Sequence, residues 1–158
     1  MRPVGALSKK LEAEVGAWQH VFVAPHQFAA REFRFQNAEI GHVHLWGDVD
    51  IPFPRAVHDV LLAERRAQRH RWLPDSGWVR FHLGKNADVE PAIWLMRLSY
   101  LRYAMKAADD APRLLEEEAM RLNLSGELTA LMRNFLPRKF SGLKTGSHTL
   151  QNSAGLGP

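Results

Sequence analysis

The chain has 158 residues, no cysteine and a net charge of +4, which excludes a disulfide framework and thiolate chemistry and makes one domain the prior. Apolar residues make up 46%, enough for a packed core rather than a disordered chain, and no stretch approaches the roughly 18 consecutive apolar residues of a membrane span. The opening MRPVGALSKKLEAEVGAW has no continuous apolar segment, so no secretory leader is expected and a cytoplasmic setting is.

In chain order, residues 8–19 read as a helix, with Ser8 as its cap and Leu11, Val15 and Trp18 at helical spacing. Val21–Ala24 reads as a short strand, ended by Pro25, His26 and Gln27, with His26 taken as a turn residue. Arg31–Phe35 alternates, Phe33 and Phe35 against Glu32 and Arg34. Gln36-Asn37 marks a hairpin turn. Ala38–Trp46 is the next expected strand. Regular alternation puts Ile40, His42, His44 and Trp46 on one face and Glu39, Gly41, Val43 and Leu45 on the other, unless a bulge at Gly41 changes the phase. Gly47-Asp48 turns into Val49–Phe53.

Pro54 suits the first turn of a helix that points Val57, Val60 and Leu61 inward and runs into the basic segment ending at Arg71. Pro74-Asp75-Ser76-Gly77 is a strong turn signal, and Trp78–Leu83 alternates as Trp78, Arg80 and His82 against Val79, Phe81 and Leu83. A long helix follows, capped by Asn86 or Asp88, with Pro91 in its opening turn. Asp109 or Asp110 starts another helix, and Leu128–Leu136 forms a last short one. The order predicts an α+β fold: a mainly antiparallel sheet with helices packed on one face, plus a C-terminal helical extension. The expected domain is 1–136, with a core over 12–105, an extension over 106–136 and a flexible basic to Gly/Ser-rich tail over 137–158.

His42 and His44 lie two apart on a strand, so a regular strand separates their Cα atoms by about 6.6 Å on one side. Such a pair can hold a metal if a third ligand arrives from elsewhere, with His70, Glu39, Asp48 and Asp50 suitable by type. It can equally serve in a metal-free pocket as acid, base or hydrogen-bond donor, or be structural. His70 stands between Arg69 and Arg71; arginine fixes anionic or enolic oxygen and histidine exchanges the proton, although a basic helix end explains the same run. Trp46 and Trp78 can line an aromatic ligand's cavity, or simply pack in the core. Arginines also crowd Arg65 to Arg71, but no recognition motif accompanies them, so nucleic acid is not an expected partner. No Rossmann loop, P-loop or H-E-x-x-H motif occurs.

Glu39-Ile40-Gly41-His42-Val43-His44, Asp50-Ile51-Pro52-Phe53-Pro54, Leu73–Trp78 and Leu98–Tyr103 together resemble the luciferase-domain family, in its bacterial-type members. The fungal luciferase of that family is similar at Glu39, Ile40, His42 and His44 and at Gln68-Arg69-His70. The resemblance implies a small-molecule substrate, no redox cofactor and molecular oxygen as co-substrate, with His42, His44 and His70 catalytic and Arg69 steadying an oxyanion. Trp46, Trp78, Glu39 and Asp50 would complete the substrate site. The fungal enzyme also carries an N-terminal membrane segment and a further histidine after the second one, both missing here. A non-catalytic binding module and a metal-dependent enzyme using His42 and His44 are the competing readings. Oligomeric state is left open.

Overall fold

The computed structural model describes residues 4–138. Five helices and six strands alternate along it. They are α1 (Val4–Gly16), β1 (Val21–Pro25), β2 (Arg31–Phe35), β3 (Ala38–Val43), β4 (Asp48–Pro52), α2 (Arg55–Ala63), β5 (Gln68–Arg69), β6 (Trp78–His82), α3 (Val89–Ala107), α4 (Ala111–Arg121) and α5 (Gly126–Arg133). All strand pairs are antiparallel in one sheet of order β1-β2-β3-β4-β6-β5, with the helices on one face. The expected α+β fold is therefore the observed one. Of the expected tail, residues 139–158 lie outside the described part. Among the described residues no helix is long and apolar enough to cross a membrane.

The core lies between the sheet and α3, which crosses β3 and β4. Phe33, Ile40, Val49, Ile51 and Val79 meet Leu95, Met96 and Leu98 there, all fully buried. Each such side chain contributes roughly 1.5–3 kcal/mol by leaving water. α1 adds Leu7, Leu11 and Val15 beside α3. α4 is tied to α3 by Glu118, whose carboxylate takes N–H bonds of 2.9 Å from both Nε and Nη2 of Arg97. Asp110 caps α4 through Arg113 N–H, and Ser125 caps α5 through Leu128 N–H.

Four expectations are corrected. α1 begins at Val4, so Ser8 sits inside it and its hydroxyl donates to Val4 O rather than capping. β3 stops at Val43, and His44 turns toward β4, donating its backbone N–H to Asp48 O. α2 ends at Ala63, and the basic segment after it forms the edge strand β5 instead of a helix end.

The fourth correction concerns phase. Phe33 faces Gly41, but Arg34 faces Glu39, so β3 carries one extra residue, Ile40. This is a β-bulge. It sends Ile40 into the core, fully buried, while Glu39 stays on the side of His42. Gly41 beside it has φ 150°, and a Cβ there would lie 2.7 Å from Met96 Sδ. Only glycine lets the bulged strand pass so close under α3.

Candidate functional site

Strand register builds the site. Glu32 pairs with His42, His42 with Asp50, and Asp50 with Arg80. Their side chains therefore form a polar row across four neighbouring strands, on the sheet face away from the helices. All four residues are at most 8% exposed. A buried row of this kind must be saturated with hydrogen bonds to be tolerated.

Asp50 is its centre. Arg80 donates Nε–H to Oδ1 and Nη2–H to Oδ2, each at 2.7 Å. Three imidazoles converge on the same Oδ2: His44 Nε2 at 3.0 Å, His70 Nε2 at 3.3 Å and His42 Nε2 at 3.4 Å. Burial alone would raise the Asp50 carboxyl; the Arg80 guanidinium and His42 overcome it and hold Asp50 well below the ordinary carboxylate range. Asp50 in turn raises the Arg80 guanidinium.

His42 and His44 differ in state. Both nitrogens of His42 face carboxylates, Nε2 toward Asp50 and Nδ1 at 2.6 Å from Glu39. Neutral imidazole has one N–H and cannot satisfy both. Burial opposes the charge, but Asp50 and Glu39 outweigh it and raise His42 to about 9. For His44 burial dominates, helped by the positive charges of His42 and Arg80 and opposed by Asp50, and its pKa is lowered. His44 is thus the neutral member, with Nε2–H on Asp50 and a buried Nδ1 that finds no partner. His70 Nδ1 accepts the Trp72 backbone N–H at 3.3 Å, which places the proton of its neutral form on Nε2, facing Asp50.

Tryptophans frame the cluster. Trp46, half-exposed, stacks on His44 with centroids 4.4 Å apart; Trp78 lies 5.5 Å from His42 and 6.3 Å from His70. Trp72, 63% exposed, covers Arg80 at 5.0 Å. Asp48 supports the rim from below by accepting from Trp46 Nε1 and His82 Nδ1, and it lies 3.3 Å from Arg80 Nη1.

The structure brings together His42, His44, His70, Glu39, Asp50, Trp46 and Trp78. Arg69 stands apart: it is exposed, and its Nη1 donates to Pro74 O at 3.4 Å. The guanidinium at the centre belongs to Arg80, which the alternation of Trp78–Leu83 put on a face but could not put opposite Asp50. His26, read as a turn residue, stacks on His42 at 4.4 Å and holds Glu32 through Nδ1 at 2.7 Å. The spacing of the sequence held no signal for it, because the contact depends on the β1–β2 hairpin.

Chemically, His42, His44 and Asp50 bring three ligand atoms within 4.8 Å of one another, a spacing that a metal ion could span. The fork of Arg80 already occupies both oxygens of Asp50 and places a fixed positive charge beside them, which disfavours a cation. Without a metal, the same groups set a charged imidazole, a neutral imidazole and a guanidinium around one buried carboxylate.

The fold and the row thus define an α+β domain with a buried histidine–carboxylate cluster on the sheet face away from the helices. Residues 37–99, which carry all of that cluster except His26 and Glu32, match the family model described as the Luciferase domain. The chain is similar to that family at the level of the family, over less than half its length. No curated protein and no solved structure matches it.

Proposed function

We propose that the sheet face away from the helices binds a small enolisable aromatic compound and moves protons on it. The observation that carries this reading is the crowding at Asp50 Oδ2, where one oxygen faces four N–H-bearing atoms within 3.4 Å. One carboxylate oxygen offers about two lone-pair directions, so some of these donors are open to a ligand oxygen. His44, held neutral with Nε2–H on Asp50, takes the proton from carbon through its unpartnered Nδ1, which is buried until the half-exposed Trp46 stacked on the ring gives way to the ligand. His42, held charged, turns its Nε2–H, the longest of the four contacts to Asp50, to the resulting enolate oxygen, while the Arg80 fork keeps Asp50 in place. Trp46 and Trp78 supply flat apolar surface for the aromatic part. An enolate held this way is electron-rich enough to meet molecular oxygen without a redox cofactor, which is the finer reading that the family likeness favours.

The test uses an enolisable aryl ketone, phenylacetone, in deuterated buffer. The expected result is protein-dependent exchange of its α-protons, abolished in His44→Gln with the fold retained. Oxygen uptake with the same compound and no added cofactor supports the oxygenation step; exchange without uptake leaves an acid–base enzyme. Exchange no faster than in buffer, together with unmoved histidine signals, removes the proposal.

The metal reading rests on the three clustered ligand atoms. It requires zinc to be retained stoichiometrically through dialysis at neutral pH and lost when His42 and His44 are both replaced by Ala. Binding would also have to displace the proton of His42, so retention should weaken steeply as pH falls.

A further inference from the structure

At the far edge of the sheet, β5 pairs with β6 only through Gln68 and Arg69. β6 continues past it to His82. Between this edge and the residues after α2 lies a cleft of about 470 Å3. Leu62, Ala67 and Phe81 give its lining apolar surface, and Arg65, Arg66 and His82 give it basic groups. We propose that this cleft is a second ligand site, selective for an aromatic carboxylate.

The charge balance is one-sided. Arg65 is exposed on a left-handed backbone, φ 56°, and among the described residues no carboxylate pairs with it. Arg66 reaches only as far as 3.8 Å to Glu64 and rests its guanidinium on the Trp94 ring. Asp88 is the acid in the wall, and its Oδ2 is already spent on the backbone N–H groups of Gly84 and Lys85, at 2.9 and 2.8 Å. His82 binds Asp48 through Nδ1, which leaves Nε2 for a ligand. The uncommitted Arg65 fork beside apolar lining, with Arg66 adding positive charge, matches a planar carboxylate on a ring system, since the fork recognises two oxygens at once. A volume of this size falls within the range of ordinary small-molecule pockets and takes one or two rings.

The cleft is separate from the histidine cluster. Arg80 touches both, but its guanidinium is committed to Asp50 and Asp48. Arg65 and Arg66 make no contact with His42, His44 or Asp50, so replacing them leaves the cluster intact.

The experiment is a titration of the full chain followed by amide NMR, with naphthoate, naphthamide and inorganic phosphate as probes. Naphthoate should move the signals of Leu62, Ala67 and Phe81 saturably. Naphthamide should bind at least about tenfold more weakly, and an Arg65→Ala/Arg66→Ala variant should lose about tenfold in naphthoate affinity. Both arginines are exposed, so apart from Trp94, which loses its Arg66 contact, the variant's spectrum should be unchanged; Arg65→Glu provides a second, single-site check with the same expected loss. The proposal is overturned if naphthoate instead moves the His42 and His44 signals, or those of Glu14 and Trp18, without moving Leu62, Ala67 and Phe81. It is equally overturned if naphthamide or phosphate binds as well as naphthoate, or if both variants bind normally.

Discussion

Arg80 closes on Asp50 with two N–H bonds of 2.7 Å, Nε to Oδ1 and Nη2 to Oδ2, and the two residues face each other across β4 and β6. Asp50 is completely buried. Removing the fork leaves a buried carboxylate with only the three imidazoles to offset its charge. Arg80→Met should therefore cost about 3–5 kcal/mol in urea unfolding. Asp50→Asn combined with Arg80→Met should cost clearly less than the two single losses added together. Strict additivity would mean that the pair is not coupled.

His42 and His44 give stability opposite slopes with pH. His42 has its folded pKa raised from 6.5 to about 9. Its contribution, on the order of 3 kcal/mol before solvent screening, is fully present below pH 6.5 and fades as pH rises through 9. His44 is lowered from 6.5, so its contribution is present above that pH and lost as pH falls below it. Unfolding midpoints should accordingly peak near neutral pH and decline on both sides. The C2-proton signals of the two rings should titrate far apart; a single shared midpoint near 6.5 would contradict both assignments.

Glu39 donates no packing to the core, but it holds Nδ1 of His42 at 2.6 Å. Glu39→Gln should lower the His42 pKa toward its ordinary value and cost stability at pH 6, where the ring is charged, while leaving the unfolding free energy above pH 9 nearly unchanged. The His42 titration curve measured by NMR decides it. An unmoved curve would leave Asp50 as its whole support.

Glu118 is a second, independent clamp. Burial would raise its carboxyl, yet Arg97 and Arg121 lower it from 4.5 to about 2. Its stabilisation is present above pH 4.5 and lost as pH falls toward 2. Glu118→Gln should flatten that part of the acid unfolding curve and loosen α4 from α3. Hydrogen exchange of the α4 amides would report the loosening, and the His42 titration should not change.

Gly77 is the last position with a sharp expectation. A Cβ there would lie 1.8 Å from Phe53 O, and Phe53 N–H donates to Gly77 O in the same contact. Gly77→Ala should destabilise by about 3 kcal/mol or more, because the atom in the way is backbone. A thermal melt within a few degrees of the parent would contradict it.

Much of the fold could be read from local chemistry. Arg31–Phe35 and Trp78–His82 announced themselves by alternation, Pro54 and Asp110 by helix-start chemistry, and the Pro74–Gly77 turn by composition. What failed was long-range or irregular. β5 is two residues long and has no period to detect. The extra residue at Ile40 breaks the very alternation used to assign faces. Within the site, His42, His44, His70, Glu39 and Asp50 could all be named, because histidine and carboxylate types stand out in sequence. Arg80 could not be separated from the other arginines. Its meaning comes from facing a residue thirty positions earlier, and a strand pattern says nothing of which strand lies alongside.

The bulge in β3 has a consequence beyond geometry. Ile40 and Glu39 are neighbours in the chain, yet one fills the interior and the other sets the proton affinity of His42. In an unbroken strand one register governs both faces, and a one-residue slip would turn every side chain over together. Here the surplus residue absorbs the mismatch, so the interior and the proton-handling surface can be altered one at a time. Position 39 is a dial for acidity that leaves the packing alone, and position 40 is a dial for packing that leaves acidity alone.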